Sequence, residues 1–251
     1  MGHEEGSGSC GRGIVRRSRR TPRWSAEFLR WATHRLYNEL ARAYDAASWV
    51  VSLGRWSTWR RLALNYLPDG PILEIGFGTG ELLIEMRRRQ MDAYGLDLSP
   101  AMHRITRRKM RRRGVDGPLV QADAREMPFA DCSFAAVVST FPAEYVLSPA
   151  TQREVARVLA SGGQHASSKH GRFVVAGLYV ESDSPFLKLM ARLINGGDTT
   201  AAVAGFREAA TAAGFDIGVA IERGKGFRLP VFILTKPGGD GCAAGSGALR
   251  D

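Results

Sequence analysis

The sequence predicts an α/β fold: a Rossmann-like doubly wound sheet, mostly parallel, with a C-terminal antiparallel hairpin strand and an N-terminal helical lid. Three observations carry that reading. From residue 67 onward, apolar runs of strand length alternate with helical patterns, the mark of parallel strands joined by helical crossovers. The stretch "ILEIGFGTGELL", residues 72–83, passes from an apolar run through three glycines spaced two apart into a helical pattern. Junctions of that kind expose backbone N–H groups and a helix N-terminus to a ligand. The chain then closes with "FDIGVAIERG" and "FRLPVFILTKP", two strand patterns joined by a short glycine-containing connection, which reads as an antiparallel pair.

Taken in order, residues 1–22 are dominated by Gly, Ser and Arg and are expected to form a disordered basic arm. Residues 23–66 read as the helical lid. From Trp24 to about Tyr44, a helical pattern puts Phe28, Leu29, Ala32, Leu36, Leu40 and Ala43 on one face and Arg23, Glu27, Arg30 and Asn38 opposite. A second helix covers 56–67. The core, 67–237, contains strand 71–75, helix 80–90, strand 92–97, helix 100–113, strands 118–122 and 134–140, helix 149–160 and strand 172–178. A helix near 203–213 then leads into the final hairpin, and "GGDGCAAGSGALRD", 238–251, is expected to be a flexible tail.

Composition bounds the function. A chain of 251 residues with 44% hydrophobic content suits one globular domain with a substantial core and an appendage. No apolar run reaches the roughly 20 residues of a spanning helix, and the N-terminus lacks the apolar stretch of a signal peptide, so a cytoplasmic location is expected. The net charge of +10 sits largely in the arm and in two helical clusters, Arg87–Arg89 and Arg104–Arg113. No aromatic residues interleave with "RRKMRRR" as a platform for stacked bases would require, so nucleic acid is not the expected partner. Cys10, Cys132 and Cys242 are odd in number and far apart, with no C-x-x-C pair; they read as free thiols, and no metal is expected.

The glycines Gly76, Gly78 and Gly80 follow G-x-G-x-G, not the G-x-G-x-x-G of a dinucleotide site, and an acid, Glu74, stands just ahead of them. A carboxylate there repels phosphates and suits a ligand bearing an ammonium or sulfonium group. The next strand ends at Asp97, placed either to accept two ribose hydroxyls or to cap the helix that opens at Ser99 and Pro100. The third strand leads to Asp123 at the same sheet edge, suited to accept from an adenine amino group beside a backbone N–H. Together the three acids describe an adenosine with a cationic tail.

"ILEIGFGTGELL", "GLDLSPAM", "ADAREMPFADCSFAAVVST" and "EVARVLASGG" followed by "GRFVVAG" resemble the successive motifs of class I S-adenosylmethionine-dependent methyltransferases over roughly residues 67–237. Upstream, "ARAYDAASWVVSLGRWSTWRR" is similar to the segment preceding the core in the ubiquinone/menaquinone-biosynthesis C-methyltransferases. The resemblance implies S-adenosyl-L-methionine as cofactor. It implies contacts to that cofactor from Glu74, Gly76, Phe77, Gly78, Gly80, Asp97, Leu98, Asp123, Ala124 and Thr140, with Tyr44 closing over it. There are departures from the pattern. Phe77 replaces a smaller residue and is expected to narrow the space beside the methionine. Ala135 stands where an Asp is usual, Ser161 replaces a proline, and "QHASSKH" lengthens the 164–170 loop, bringing His165 and His170.

In the implied reaction a nucleophile attacks the sulfonium methyl in line, and positioning and water exclusion supply most of the catalysis. Where the acceptor needs deprotonation, Glu144 and Tyr145 are the nearest candidate bases; packing is the competing role for both. The acceptor expected is small and lipophilic, a quinol or lipid. Trp24, Trp31, Arg35 and Arg42 share a flank of the first helix, which suits either peripheral contact with an anionic membrane or packing of the lid on the core. A nicotinamide oxidoreductase and a non-catalytic cofactor-binding or RNA-associated protein are the rival readings. The first is opposed by the glycine spacing and Glu74, and the second is favoured only by charge.

Overall fold

The computed structural model describes residues 56–165, 168–182, 199–224 and 226–238. The basic arm, the expected helix 24–44 with Tyr44, and all of the tail but Gly238 lie outside them. The chain enters through helix α1 (Trp56–Leu62) and a 3-10 turn (Ala63–Tyr66). Strand β1 (Ile72–Ile75), helix α2 (Glu81–Arg88), β2 (Ala93–Asp97), α3 (Pro100–Arg112) and β3 (Leu119–Gln121) follow. Beyond them come β4 (Ala136–Thr140), α4 (Pro149–Val158), β5 (Ser161–His165), β6 (Ser168–His170) and β7 (Arg172–Ala176). The described residues end with β8 (Glu181–Ser182), α5 (Thr199–Ala212), β9 (Asp216–Gly224) and β10 (Phe227–Thr235).

The main sheet has the order β3-β2-β1-β4-β7-β10, with β8 and β9 also paired to β10. All pairings from β3 to β7 are parallel, and β10 runs antiparallel to β7 and to β9. The expected mixed sheet with its closing hairpin is therefore present. Strand order reverses between β1 and β4, and in sheets of this kind a crevice opens at such a point, beyond the carboxyl ends of the strands.

Alternation along the strands divides the core into two layers. Leu73, Ile75, Val137, Phe173 and Val175 pack with Val155 and Val158 of α4 and Phe206 and Ala210 of α5. Ile72, Val138, Val174 and Ala176 pack with Leu82, Leu83 and Met86 of α2. All four residues of β1 are buried, as a central strand covered on both faces requires. Helix α3 opens as its sequence foretells, with Pro100 in the first turn and the Ser99 side chain accepting from the Met102 N–H at 3.4 Å. Pro230 falls between the stretches of β10 paired to β8 and to β7, so its missing N–H costs neither ladder a bond.

Some expectations are corrected. The strand expected from 134 begins at Ala136, because the Ala135 N–H turns to the Pro71 carbonyl and Phe134 bridges Leu159. The strand expected to reach 178 stops at Ala176, where Gly177 takes φ +79° with the Phe141 ring occupying the space of a side chain. The lengthened 164–170 segment is not a plain loop, since β5 and β6 form a separate two-stranded antiparallel sheet. Cys132, expected as a free thiol, is disulfide-bonded; an odd cysteine count and wide spacing carry no information on pairing geometry.

Candidate cofactor site

The site forms where β1, β2 and β4 deliver their carboxyl ends to the crevice. Gly76, Gly78 and Gly80 all take left-handed backbone, φ +67°, +55° and +76°, a region open to glycine at no steric cost. Their surroundings differ. A side chain on Gly76 would collide with the Tyr145 hydroxyl, and one on Gly80 with the Thr106 side chain, whereas one on Gly78 would meet nothing within 4 Å. Two glycines thus admit neighbouring protein, and the middle one lines open space.

The turn is braced from two sides. The Gly78 N–H donates to Asp97 Oδ2 at 2.8 Å and the Ser99 N–H to Asp97 Oδ1 at 2.8 Å. Thr106, wholly buried in α3, donates its hydroxyl to the Gly78 carbonyl at 3.0 Å. From the β4 side, the Ser139 and Tyr145 hydroxyls each lie 3.0 Å from the Ile75 carbonyl and 3.0 Å from each other. Two hydroxyl protons serve three short contacts, so at any moment one contact goes without a proton.

Electrostatics set the three acids apart. Glu74 is 2% exposed, and its Oε2 is buried with no hydrogen-bond partner. Burial lifts its carboxyl from 4.5 to about 8; nearby Arg60 opposes the rise, the Asp97 charge adds to it and the Leu83 N–H works against it. Asp97 is also raised, by burial first, against the two backbone N–H groups it accepts from and the nearby His103. Asp123 is lowered, chiefly by hydrogen bonds from Arg125, whose guanidinium forks onto its carboxylate at 2.6–3.1 Å. An adenine amino group at Asp123 would have to share that carboxylate with Arg125.

The remaining expected residues fall into place unevenly. Ala124 is buried in the core and Leu98 is 61% exposed at the rim. Thr140 ends β4 half-buried, and Glu144 is exposed in the 3-10 turn that follows. The Phe77 ring does not narrow the open space by Gly78. It is buried against Met102 with its edge to His103, 4.8 Å between centroids. Tyr145 is committed to the brace. His103, which meets the Asp97 carbonyl at 3.0 Å, together with Thr106 and Ser139, escaped the sequence reading, because contacts made across the fold from a helix or a neighbouring strand leave no spacing signal. Among the described residues no group of His, Cys, Asp and Glu could hold a metal ion.

Residues 72–163 match the protein family described as "Methyltransferase domain". Over those residues the chain is similar to methyltransferase domains. A demethylmenaquinone methyltransferase of Thermus thermophilus is 36% identical over 138 residues, covering 51% of this chain and 61% of that protein. A ubiquinone/menaquinone biosynthesis C-methyltransferase of Geotalea daltonii is 30% identical over 138 residues, covering 51% and 59%. The chain thus spans about 60% of the length of these curated relatives. In fold, the chain resembles a Thermotoga maritima protein described as a possible histamine N-methyltransferase, with TM-score 0.56 and 19% identity over 81% of this chain and 98% of that one.

S-adenosylmethionine fits the crevice on the structure's own terms. The orphaned Glu74 Oε2 lacks a donor that an ammonium supplies, and the free space over Gly78 admits a ligand against backbone. Each Asp97 oxygen accepts one backbone N–H and keeps a lone pair for a ribose hydroxyl.

Proposed function

We propose that the chain methylates a small lipophilic acceptor of the quinol type, using S-adenosylmethionine held by Glu74, Gly76, Gly78, Gly80, Asp97, Asp123 and Ala124. The observation that carries the reading is the pairing of a buried, unpartnered Glu74 oxygen with an open glycine beside it. The names of the two relatives supply the acceptor class.

Bound S-adenosylmethionine would supply an electrophilic methyl group on its sulfonium. The protein's share is electrostatic and positional. Glu74 in its charged form balances the cationic tail, and Asp97 fixes the ribose end while holding the glycine turn through the Gly78 N–H. Tyr145 and Ser139 pin the Ile75 carbonyl, which sets the last residue of β1 against the turn. An acceptor carbon that gains the methyl must lose a proton, and a quinol's hydroxyl must lose one to become an effective nucleophile. Exposed Glu144 at the end of β4 is the base we assign; the Tyr145 hydroxyl is occupied. Tyr44, proposed to close over the cofactor, lies outside the described residues. Among the described residues no helix is long and apolar enough to cross a membrane.

Calorimetric titration with S-adenosylmethionine and S-adenosylhomocysteine, with NAD as control, tests the cofactor. Transfer of labelled methyl to demethylmenaquinone under reducing conditions tests the acceptor. Tighter binding of NAD than of either adenosyl ligand would refute the cofactor assignment, and label appearing only in water-soluble acceptors would refute the lipophilic one.

A further inference from the structure

Helix α3 forms one wall of the glycine turn with its inner side, through Thr106 and the His103–Phe77 contact. Its outer side carries Arg104, Arg107, Arg108, Arg111 and Arg112, all exposed. At 100° per residue these five span an arc of about 140°, and they cover roughly 12 Å of helix. None of the five side chains has an ion-pair or hydrogen-bond partner among the described residues. Glu81 of α2, the acid that α3 does engage, is held by Lys109 at 2.9 Å and Arg113 at 2.9 Å and not by any of the five. Immediately before the helix, at the rim of the crevice, stands Leu98 with 61% of its surface exposed. An unpaired cationic face and an apolar rim residue therefore adjoin the mouth of the site.

We infer that the outer face of α3 docks on an anionic lipid bilayer, with Leu98 at the boundary and the crevice opening beside the membrane. This rests on the proposed lipophilic acceptor, which resides in such a bilayer. The chemistry favours lipid over nucleic acid. Guanidinium groups pair with lipid phosphates as a field of charge, whereas single-stranded nucleic acid needs aromatic side chains between the cations for base stacking. The exposed α3 positions from Arg104 to Arg112 include no aromatic residue. The surface differs from the tryptophan-arginine flank expected in the upstream helix, which lies outside the described residues.

The test uses the full chain and vesicles of phosphatidylglycerol with phosphatidylcholine, or of phosphatidylcholine alone, at low and high salt. The wild type should sediment with anionic vesicles at low salt and be released at high salt. Arg107→Gln/Arg108→Gln/Arg111→Gln should weaken that binding on the order of a hundredfold, roughly fivefold for each arginine. Its S-adenosylhomocysteine affinity by calorimetry should stay unchanged, since none of the three touches the crevice. A charge-matched control, Arg153→Gln/Arg207→Gln/Arg223→Gln, alters exposed arginines elsewhere and should keep most of the binding. Equal loss in both triple variants, undiminished binding by the α3 variant, or α3-dependent binding of oligoribonucleotide with none to vesicles would overturn the inference. A chain that binds vesicles as expected but no S-adenosylhomocysteine would instead overturn the proposed function.

Discussion

Gly76→Ala tests how tightly the turn is built. Gly76 sits at φ +67°, where a Cβ costs about 1–2 kcal/mol. The new methyl would also run into the Tyr145 hydroxyl, with the ring carbon behind that hydroxyl at 3.0 Å. Overpacking of that kind costs about 1–3 kcal/mol, so the single substitution should destabilise by about 2–5 kcal/mol. Tyr145→Phe alone forfeits the bond to the Ile75 carbonyl, about 0.5–1.5 kcal/mol, because Ser139 still serves that oxygen. With Tyr145→Phe already in place the offending oxygen is gone, and only the backbone cost and the ring contact remain. The double variant should therefore be more stable than the sum of the singles by about 1–2 kcal/mol, read from urea unfolding of all four proteins. A cycle that closes to within about 0.3–0.5 kcal/mol, the scatter of independent sites, would show that the hydroxyl does not occupy the space over Gly76.

Glu74→Gln should remove a pH dependence. Between its ordinary 4.5 and about 8 the folded chain holds a proton that the unfolded chain has lost, so wild-type stability falls as pH rises through that interval. The Gln variant should lack that slope in thermal melts, and parallel profiles would exclude a buried, protonated Glu74. Asp97→Ala should weaken cofactor binding by about 1.5–3 kcal/mol by calorimetry, because a ribose loses charge-assisted partners in a crevice; unchanged affinity in a folded variant would refute the assignment. Gly78→Val places its branches in open space, so it should abolish methyl transfer while the fold survives with about 1–2 kcal/mol of backbone strain. Full activity would mean that no ligand approaches there.

The fold was legible because its strands obey a simple rule. Buried parallel strands are written as short apolar runs, and the helices between them keep a single apolar face, as in α3 with Met102, Thr106 and Met110 turned inward. Ends were less legible: β7 stops at Ala176 because the Phe141 ring fills the side-chain space of Gly177, a contact 36 residues apart in sequence. In the site, the acids and glycines could be named because each must stand at a strand end. Their supports could not. Tyr145 reads either as a base or as a packing residue from its place after β4, and what chooses is a bond from its hydroxyl to Ile75, 70 residues away in the chain, beside Ser139. Phe77, expected to narrow the space beside the methionine, instead packs its ring on Met102 and His103 beneath α3, a contact that the family resemblance does not carry.

The bracing of the glycine turn also bears on the thermodynamics of capture. Asp97, Ser99, Thr106, Ser139 and Tyr145 fix its backbone through the protein's own groups, so a ligand need not order the loop that receives it. Most of the entropy of arranging that part of the site has been spent during folding. Binding at the turn should then resemble entry into a rigid socket, with association limited by diffusion and access, and with a heat-capacity change that reflects ligand burial in place of loop folding.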